Sequence, residues 1–365
     1  MVGASVVNDA YRVLVIDDDP DVAEYTRIVL EKRAGCRVLA VNNPQQVAAA
    51  AADFLPDVVV TDIEMPGMTG FELITQLRGA HPGLPVVVMT AHVSLEYAMQ
   101  SFRSEADEFL TKPVKSAQLV ATVLKLAERW RTSQAASNEL GRAAEVQRGL
   151  LPAQLVSLPG YHLVGGCAPA RAVGGDFFDW YPVDGGAVFS LADVMGKGIG
   201  AAIIAATVRA VLRSAARDTD MSRSVVSAAA ALEPDLDQAG AFVTLVHARL
   251  DTDSGSIRYV DAGHGLSLVV RAAGGTKRLR TTSLPLGMGL EVGWREHTVE
   301  LEPGDTLVSV SDGVLDLWGG DLGSLDEVES IVRSAPNAQH IVDSLLALAA
   351  SGAEDDVTVV VLRRD

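Results

Sequence analysis

The sequence has few cysteines and no long hydrophobic run. Only Cys36 and Cys167 occur among its 365 residues. They match neither a metal-binding spacing nor a disulfide framework, so we interpret both as small buried hydrophobic residues. Apolar stretches such as "AAIIAATVRAVL" contain arginine and fall short of the roughly 20 residues that a membrane span needs. The start, "MVGASVVNDAYR", has no basic segment followed by an apolar one, which argues against a signal peptide. We expect a soluble, cytoplasmic protein that does not bind membranes.

Basic residues are also scarce relative to acidic ones. Lys and Arg number 30 against 47 Asp and Glu, which gives a net charge of −17 and a calculated pI near 4.8. Such a surface repels DNA, so we expect no nucleic-acid partner. It also suggests that carboxylates are gathered to hold cations. The length predicts two domains, and the composition, 48% hydrophobic and 21% charged, is that of a globular protein.

The first part of the chain alternates between predicted strands and helices. Continuous apolar runs such as "YRVLVI", "VVVT" and "LPVVVMTA" are typical of buried parallel strands. Helical patterns follow them, including "DVAEYTRIVLEKRAG" and "SLEYAMQSFRSEA". Five such units predict an α/β domain over residues 10–130, with a doubly wound sheet and a functional site at the carboxyl ends of its strands.

Polar residues follow four of these predicted strands. Asp17 and Asp18 close the first strand, Asp62 the third, Thr90 the fourth and Lys112 the fifth. Three converging carboxylates would repel one another, and a hard divalent cation such as Mg²⁺ relieves that repulsion. Asp62, the central carboxylate, is best placed to act as a nucleophile. A lysine and a hydroxyl beside it would stabilise a transferred phosphoryl group.

A helical linker is predicted over residues 115–152. Small or apolar residues recur there at alternating steps of four and three, a heptad pattern. They are Leu119, Val123, Leu126, Trp130, Ser133, Ser137, Leu140, Ala144, Gln147 and Leu151. Pro152 ends the pattern. Two interpretations stay open: a surface helix packed on its own domains, or a signalling helix that pairs as a coiled coil in a homodimer.

The remainder, residues 153–365, has long predicted strands and separate groups of helices, which indicates an α+β domain. Acidic residues stand where strands end or turn: Asp176, Asp193, Asp312 and the pair Asp355–Asp356. Any one of them could be an ordinary turn residue. Because four such places occur without a His or Cys set, together they favour a cluster of oxygen ligands for cations. Two cations there would activate a water molecule against a phosphate ester.

The first domain resembles a response-regulator receiver domain. The resemblance rests on "VIDDDP", "VVVTDIEMPGMTG", "VMTA" and "FLTKP". It implies that Asp62 accepts a phosphoryl group from a sensor histidine kinase or a phosphotransfer protein. The residues that it assigns are the Mg²⁺ ligands Asp17, Asp18, Asp62 and the main-chain carbonyl of Glu64, and the switch residues Thr90, Lys112 and Phe109.

Residues 140–365 resemble the PPM metal-dependent serine/threonine phosphatases, in particular the SpoIIE-like branch that controls sporulation and stress sigma factors. The motifs on which this resemblance rests include "AAEVQRGLLP", "AVGGDFFDW", "LADVMGKGIGAAI", "YVDAGHG", "SVSDGVLD" and "EDDVT". The resemblance implies a β-sandwich flanked by helices, with two Mn²⁺ or Mg²⁺ ions and no covalent enzyme intermediate. Asp193 would bridge the ions. The assigned metal residues are Asp176, Asp193, the Val194 carbonyl, Asp312, Asp355 and Asp356, and Arg171 is assigned to substrate phosphate. Lys197 stands where some relatives carry a catalytic histidine, and the surroundings of His264 match a structural turn.

These resemblances predict a phosphatase controlled through Asp62, acting on a phosphoserine protein, by analogy an anti-sigma-factor antagonist. Phosphorylation would change helix pairing and move the helices that follow Gly198. Two other functions share parts of this pattern. Gly174-Gly175-Asp176-Phe177 nearly spells the GGDEF signature of diguanylate cyclases, but the second acidic residue is missing. Gly174 also lies only 22 residues after Pro152, too few for the strand-helix segment that precedes the hairpin in a cyclase. The domain could also be a non-catalytic adaptor for a sigma or anti-sigma factor.

Overall fold

The computed structural model describes residues 10–91, 106–152, 156–215, 219–279, 283–288, 293–350 and 353–365. The chain divides into two compact units, Met1–Glu139 and Leu140–Asp365. None of the helices within the described ranges combines the length and hydropathy that crossing a bilayer requires.

The first unit contains a five-stranded parallel sheet. Its strands are β1 (Arg12–Ile16), β2 (Arg37–Val41), β3 (Val58–Asp62), β4 (Val86–Thr90) and β5 (Glu108–Thr111). They lie in the order β2-β1-β3-β4-β5, with β1 paired to both β2 and β3. The helices are α1 (Pro20–Ala34), α2 (Val47–Phe54), α3 (Gly70–Ala80) and α4 (Ser116–Leu150). The predicted doubly wound α/β fold is confirmed. Residues 94–105 of the predicted helix "SLEYAMQSFRSEA" lie outside the described residues.

The strand sequences explain why this sheet is covered on both faces. Alternate residues of β1 face two separate hydrophobic clusters: Val13 and Val15 pack in one, and Leu14 and Ile16 in the other. All four are fully buried. A strand that is apolar at every position is stable only where helices cover both sides. The carboxyl ends of the strands therefore remain the open edge on which polar residues can gather.

Helix α4 begins as a core helix of the first unit. Leu119, Val123, Leu126 and Ala127 are buried in the hydrophobic core of the first unit. Arg131 anchors the next turn, because its Nη2 donates to Asp57 Oδ2 at 2.6 Å. The first heptad positions are thus filled by packing within the chain. Residues 132–139, which follow, are all exposed. This stretch of α4 is therefore available to pair with a second helix.

The second unit is a sandwich of two antiparallel sheets. One has the order β14-β11-β10-β9-β8 and the other β13-β12-β15-β16-β7-β6. The first sheet comprises β8 (Phe177–Val183), β9 (Gly186–Val194), β10 (Val243–Asp251), β11 (Ser256–Ala262) and β14 (His297–Glu300). The second comprises β6 (Val156–Leu158), β7 (Tyr161–Ala168), β12 (Ser267–Val270), β13 (Thr276–Arg278), β15 (Thr306–Val310) and β16 (Val357–Arg364).

Helices cover both outer faces of this sandwich. They are α5 (Ile199–Ala215), α6 (Met221–Ala239), α7 (Gly313–Asp316), α8 (Ser324–Ser334) and α9 (Ala338–Ala349). One hydrophobic cluster lies between the sheets, one lies under α5 and α6, and one lies under α8 and α9. The predicted α+β sandwich flanked by helices is confirmed. Helix α8 was not predicted, although Leu325, Val328 and Val332 form its buried face at helical spacing.

His247 makes the stability of this unit sensitive to acid. It is fully buried on β10, its Nδ1 lies 2.8 Å from Ser190 Oγ, and its Nε2 has no hydrogen-bond partner in the described structure. Burial lowers the pKa of His247 to about 4. The unfolded chain binds a proton near the ordinary pKa of 6.5, whereas the folded domain does so only near 4. The contribution of His247 to stability is therefore complete above pH 6.5. It is lost as pH falls towards 4, by about 1.4 kcal/mol per pH unit.

We expect His247→Leu to reduce the decline in unfolding free energy between pH 6.5 and 4, measured by denaturant titration. His340→Gln is the matched control, because His340 is exposed on α9 and should leave the pH dependence unchanged. Identical slopes for His247→Leu and the parent chain would show that burial does not hold this imidazole neutral.

Candidate functional site

Three carboxylates meet at the open edge of the first sheet. Asp17 and Asp18 directly follow β1, and Asp62 ends β3. One oxygen of each lies within 4.8 Å of the others, and within the described residues this is the one trio of potential metal ligands that is so compact. Asp17 is buried and Asp18 is exposed. The predicted convergence of strand-end carboxylates is therefore present, in a geometry that fits one hard divalent cation.

Lys112 neutralises two of these carboxylates. Its Nζ lies 2.6 Å from Asp62 Oδ2 and 3.0 Å from Asp17 Oδ2. The other Asp62 oxygen, Oδ1, accepts the backbone N–H of Ile63 at 2.7 Å. Burial raises the pKa of Asp17, although Lys112 opposes that shift. Burial also disfavours the charged form of Lys112, but its hydrogen bonds to Asp62 and Asp17 raise its pKa overall. The ammonium group therefore stays charged beside the proposed nucleophile.

The remaining predicted receiver residues surround this trio. Thr90 ends β4 and is buried, and its carbonyl accepts the backbone N–H of Lys112 at 2.7 Å. Phe109 lies on β5 and packs partly buried against the hydrophobic cluster that holds Leu14. Glu64 and Asp18 line a shallow cavity of about 480 Å³ beside the loop that follows β3.

A second acidic cluster is built from both sheets of the sandwich. In the first sheet Phe177 pairs with Ala192. Asp176, directly before β8, and Asp193, near the end of β9, therefore lie at the same end of this strand pair. In the second sheet Val310 pairs with Val359, which brings Asp312 and the 355–356 pair to one end of β15 and β16. Residues separated by up to 180 positions in sequence are thus gathered by strand pairing.

Asp193 is the electrostatic centre of this second cluster. Burial, together with the nearby charges of Asp312 and Asp355, raises the pKa of Asp193 to about 6, although a hydrogen bond with Asp176 opposes that shift. Asp176 is 4% exposed, and its Oδ2 has no hydrogen-bond partner in the described structure. Burial, followed by the charge of Asp193, raises the pKa of Asp176 well above its usual value. Burial, then Asp355, also raises the pKa of Asp312.

These features fit divalent cations. The carboxylates of the cluster offer only oxygen atoms as metal ligands, which suits Mg²⁺ or Mn²⁺. A buried carboxylate oxygen without a partner is costly unless a cation or a donor satisfies it. The mutual repulsion that raises these pKa values is also what a bound cation would relieve. Asp176, Asp193, Asp312 and Asp355 are therefore suited to hold metal.

Asp356 has a different position from the other four. Its Oδ1 accepts the backbone N–H of Ala170 at 2.8 Å, and its Oδ2 accepts that of Gly175 at 2.7 Å. Both oxygens are engaged by the loop that precedes Asp176. We therefore interpret Asp356 as supporting the cluster through this loop rather than by binding metal directly.

Gly175 lets this loop pass close to the end of β9. A Cβ added at Gly175 would lie 2.7 Å from the Val194 carbonyl oxygen and 3.2 Å from Ala201 Cβ. A Cβ at the neighbouring Gly174 would collide with the Asp356 carboxylate. The two glycines thus serve close packing around the cluster, as the sequence "AVGGDFFDW" suggested.

Gln147 was not predicted as a site residue, yet it holds the same loop from the last turns of α4. Its Nε2 donates to the Gly174 carbonyl at 2.7 Å, and the Gly174 N–H donates to its Oε1 at 3.1 Å. In the sequence Gln147 belongs to the heptad pattern and to the motif "AAEVQRGLLP", neither of which gave it a role at the site. A polar residue at such an apolar position was the available signal.

Three further candidates lie around the second cluster or beyond it. Lys197 Nζ lies 2.9 Å from Asp355 Oδ2 and donates to the Glu354 carbonyl at 2.8 Å. Arg171 is exposed, and its Nη1 approaches Gly198. His264 is buried with its Nε2 3.1 Å from Ser309 Oγ, in keeping with a structural turn.

Known protein families match both parts of the chain. Residues 183–365 match the family model of stage II sporulation protein E (SpoIIE), and residues 13–124 match that of the response regulator receiver domain. The chain is similar to the DNA-binding transcriptional regulator NtrC of Salmonella typhimurium, with 37% identity over 129 residues, 34% of this chain and 27% of the regulator. It is also similar to the DNA-binding response regulator MtrA of Mycolicibacterium smegmatis, with 37% identity over 112 residues, 31% of this chain and 48% of that protein. The chain thus spans about a quarter to a half of the length of these curated relatives.

Solved structures resemble the second unit. The SiaA-PP2C domain of Pseudomonas aeruginosa superposes with a TM-score of 0.55 at 21% identity, covering 64% of this chain and 99% of that domain. That likeness shows the fold. The RsbU and RsbW domains of a Mycobacterium tuberculosis protein superpose with a TM-score of 0.50 at 27% identity, covering 56% of this chain and 60% of that structure.

Proposed function

This chain belongs to the stage II sporulation protein E family, and from that membership we propose that it is a metal-dependent serine/threonine phosphatase controlled by a receiver domain. The observation that carries the proposal is the convergence of Asp176, Asp193, Asp312 and Asp355 at one end of the sandwich. The family is metal-dependent, and the unpartnered buried oxygen of Asp176 supports metal binding in this chain.

The residues of the second cluster would divide the work of phosphate-ester hydrolysis. Two bound cations would supply Lewis-acid activation of water and neutralise charge on the phosphate. Asp193, Asp312, Asp355 and the Val194 carbonyl would hold them. Asp176 would orient the water through its free oxygen. Arg171, exposed at the rim, would hold a phosphate oxygen of the substrate.

The receiver would take its phosphoryl group on Asp62. The carboxylate attacks phosphorus of a phosphohistidine on a histidine kinase or phosphotransfer protein, and the imidazole leaves. Mg²⁺ held by Asp17, Asp18 and Asp62, with the Glu64 carbonyl, would neutralise the incoming charge. Lys112 already contacts Asp62 and is placed to bind a phosphoryl oxygen, with Thr90 beside it. Phe109 would report the state of the site as an aromatic switch.

The substrate that we propose is a phosphoserine protein, by family analogy an anti-sigma-factor antagonist in the cytoplasm. The domain arrangement supports a phosphoprotein substrate, and the identity of that protein rests on the family alone. We also propose a homodimer, formed through the exposed residues 132–139 of α4 rather than through the whole heptad pattern.

Phosphate release from a phosphoseryl protein tests the proposed activity. Purified chain with Mn²⁺ should release inorganic phosphate, and addition of a chelator should stop the release. Candidate phosphorylated anti-sigma-factor antagonists are the substrates to compare with an unrelated phosphoprotein. Stable binding of such a protein without any phosphate release would instead indicate the adaptor function.

Gln147 offers a way to probe control of the site by the linker helix. Gln147→Ala removes both hydrogen bonds to Gly174 and frees the loop that positions Asp176. We expect the phosphatase rate to fall about ten- to hundredfold, because two buried backbone groups lose their partners. Acceptance of a phosphoryl group by Asp62 should be unchanged in the same protein, as measured with a small-molecule phosphodonor.

Glu145→Ala is the control, because Glu145 is exposed on the same helix and lies outside residues 132–139. Gln147→Glu adds a graded variant, since it can still accept the Gly174 N–H but cannot donate to its carbonyl. A full phosphatase rate in Gln147→Ala would show that this contact does not position the loop.

A further inference from the structure

Lys197 joins two loops that come from opposite sheets. It lies between the end of β9, which carries Asp193, and the start of α5. Its Nζ reaches Asp355 Oδ2 at 2.9 Å and the Glu354 carbonyl at 2.8 Å, both in the loop before β16. We call these two contacts the Lys197 tether. Through the tether, the positive charge of Lys197 partly neutralises the acidic cluster.

The ammonium group of Lys197 contacts the Asp355 carboxylate, which is also a proposed metal ligand. Asp355 is one of the four residues assigned to the metal site, and its Oδ1 already accepts the backbone N–H of Asp356 at 2.9 Å. The oxygen that accepts no backbone N–H is Oδ2, and Lys197 holds it. A divalent cation and the ammonium cannot both sit against that oxygen, because their charges repel.

The lysine is also free to leave. Gly196 and Gly198 flank it with φ angles of +101° and +85°, a backbone region that glycine adopts readily. The Lys197 side chain is 36% exposed, so its stem can turn towards solvent.

We propose that Lys197 is an internal counterion, which a divalent cation must displace from Asp355 in order to bind there. This rests on the metal site of the proposed function, but it concerns metal affinity rather than turnover. Its consequence is that cation binding releases the β9–α5 loop from the 353–356 loop. Lys197 lowers the affinity for the cation and stabilises the cation-free state.

Calorimetric titration of the full chain with Mn²⁺ tests this directly. All proteins carry Asp17→Asn, which weakens the receiver cation site and leaves the second cluster as the main source of heat. We expect Lys197→Met to lower the Mn²⁺ dissociation constant about two- to fivefold, the range set by breaking one exposed ion pair. Lys197→Arg should keep the parent affinity. Lys277→Met, on exposed β13, controls for the change in net charge.

Thermal unfolding separates this role from a merely structural one. Without divalent cations, Lys197→Met should unfold about 1–3 °C below the parent, because it loses the tether. With saturating Mn²⁺ the two should unfold together, because the parent has already released the tether. Equal Mn²⁺ affinities, or an equal loss of stability with and without Mn²⁺, would overturn the inference. A chain that binds Mn²⁺ as described but releases no phosphate would refute the proposed function and leave this inference standing.

Discussion

Replacing Asp193 by asparagine should abolish phosphate release and leave the fold intact. The carboxylate lies at the centre of the acidic cluster, where it would help to hold the two cations. Loss of such a group removes charge stabilisation in the transition state, so we expect the rate to fall about 10³-fold. The measurement is inorganic phosphate released from a phosphoseryl protein at saturating Mn²⁺.

Stability distinguishes this effect from simple unfolding. Like charges and burial raise the pKa of Asp193 to about 6, so its charge is held at a cost in the cation-free protein. A neutral asparagine relieves that repulsion, and the unfolding temperature without divalent cations should therefore stay the same or rise. Asp235→Asn, on the exposed face of α6, should change neither property. Retained activity in Asp193→Asn would remove this residue from the metal site.

Alanine at position 175 should be nearly as damaging, although it adds only a methyl group. The new Cβ would lie 2.7 Å from the Val194 carbonyl oxygen and 3.3 Å from that of Gly196. The loop before Asp176 must then move away from the end of β9. A displacement of about 1 Å in a catalytic group can cost about 10²-fold in rate, and we expect a loss of at least that size.

The same substitution should weaken metal binding as well as catalysis. The Val194 carbonyl and Asp176 would no longer hold their relative positions, so the Mn²⁺ dissociation constant should rise together with the loss of rate. Gly149→Ala is the control, because an added Cβ there has no neighbour within 4 Å and alanine favours the helix. Normal Mn²⁺ affinity and rate in Gly175→Ala would mean that the loop tolerates movement and that its close packing is incidental.

The receiver could be predicted from sequence almost completely within the described residues. Its strands are continuous apolar runs, and parallel strand order alone brings Asp17, Asp62 and Lys112 to one edge. Local sequence also contains the helix ends, such as Asp19 before α1 and Gly35 after it. In this unit the helices and strands predicted from local sequence patterns are those found in the fold.

The linker shows where periodicity is ambiguous. Leu119, Val123 and Leu126 recur at helical spacing, and that spacing is the same whether the partner is a sheet of the same chain or a second helix. They are buried in the receiver core, so their partner is the sheet of the same chain. The coiled-coil interpretation therefore keeps only the exposed middle of α4.

The second cluster could be assembled only in part. The aspartates were identified at strand ends, but their supporting contacts cross long distances in sequence: Gln147 to Gly174, and Asp356 to Gly175. Such hydrogen bonds leave no local pattern. They depend on strand pairing between sheets, and the sequence of either partner alone does not reveal them.

We propose that the phosphorylation state of Asp62 sets the phosphatase rate. Beryllofluoride, a stable phosphoryl mimic, should change phosphate release by the wild-type chain about fivefold or more. Because beryllofluoride could also bind the second cluster directly, Asp62→Ala must be measured in parallel, and its rate should not respond. An equal rate with and without beryllofluoride in the wild-type chain, or the same response in Asp62→Ala, would contradict control of the phosphatase by the receiver.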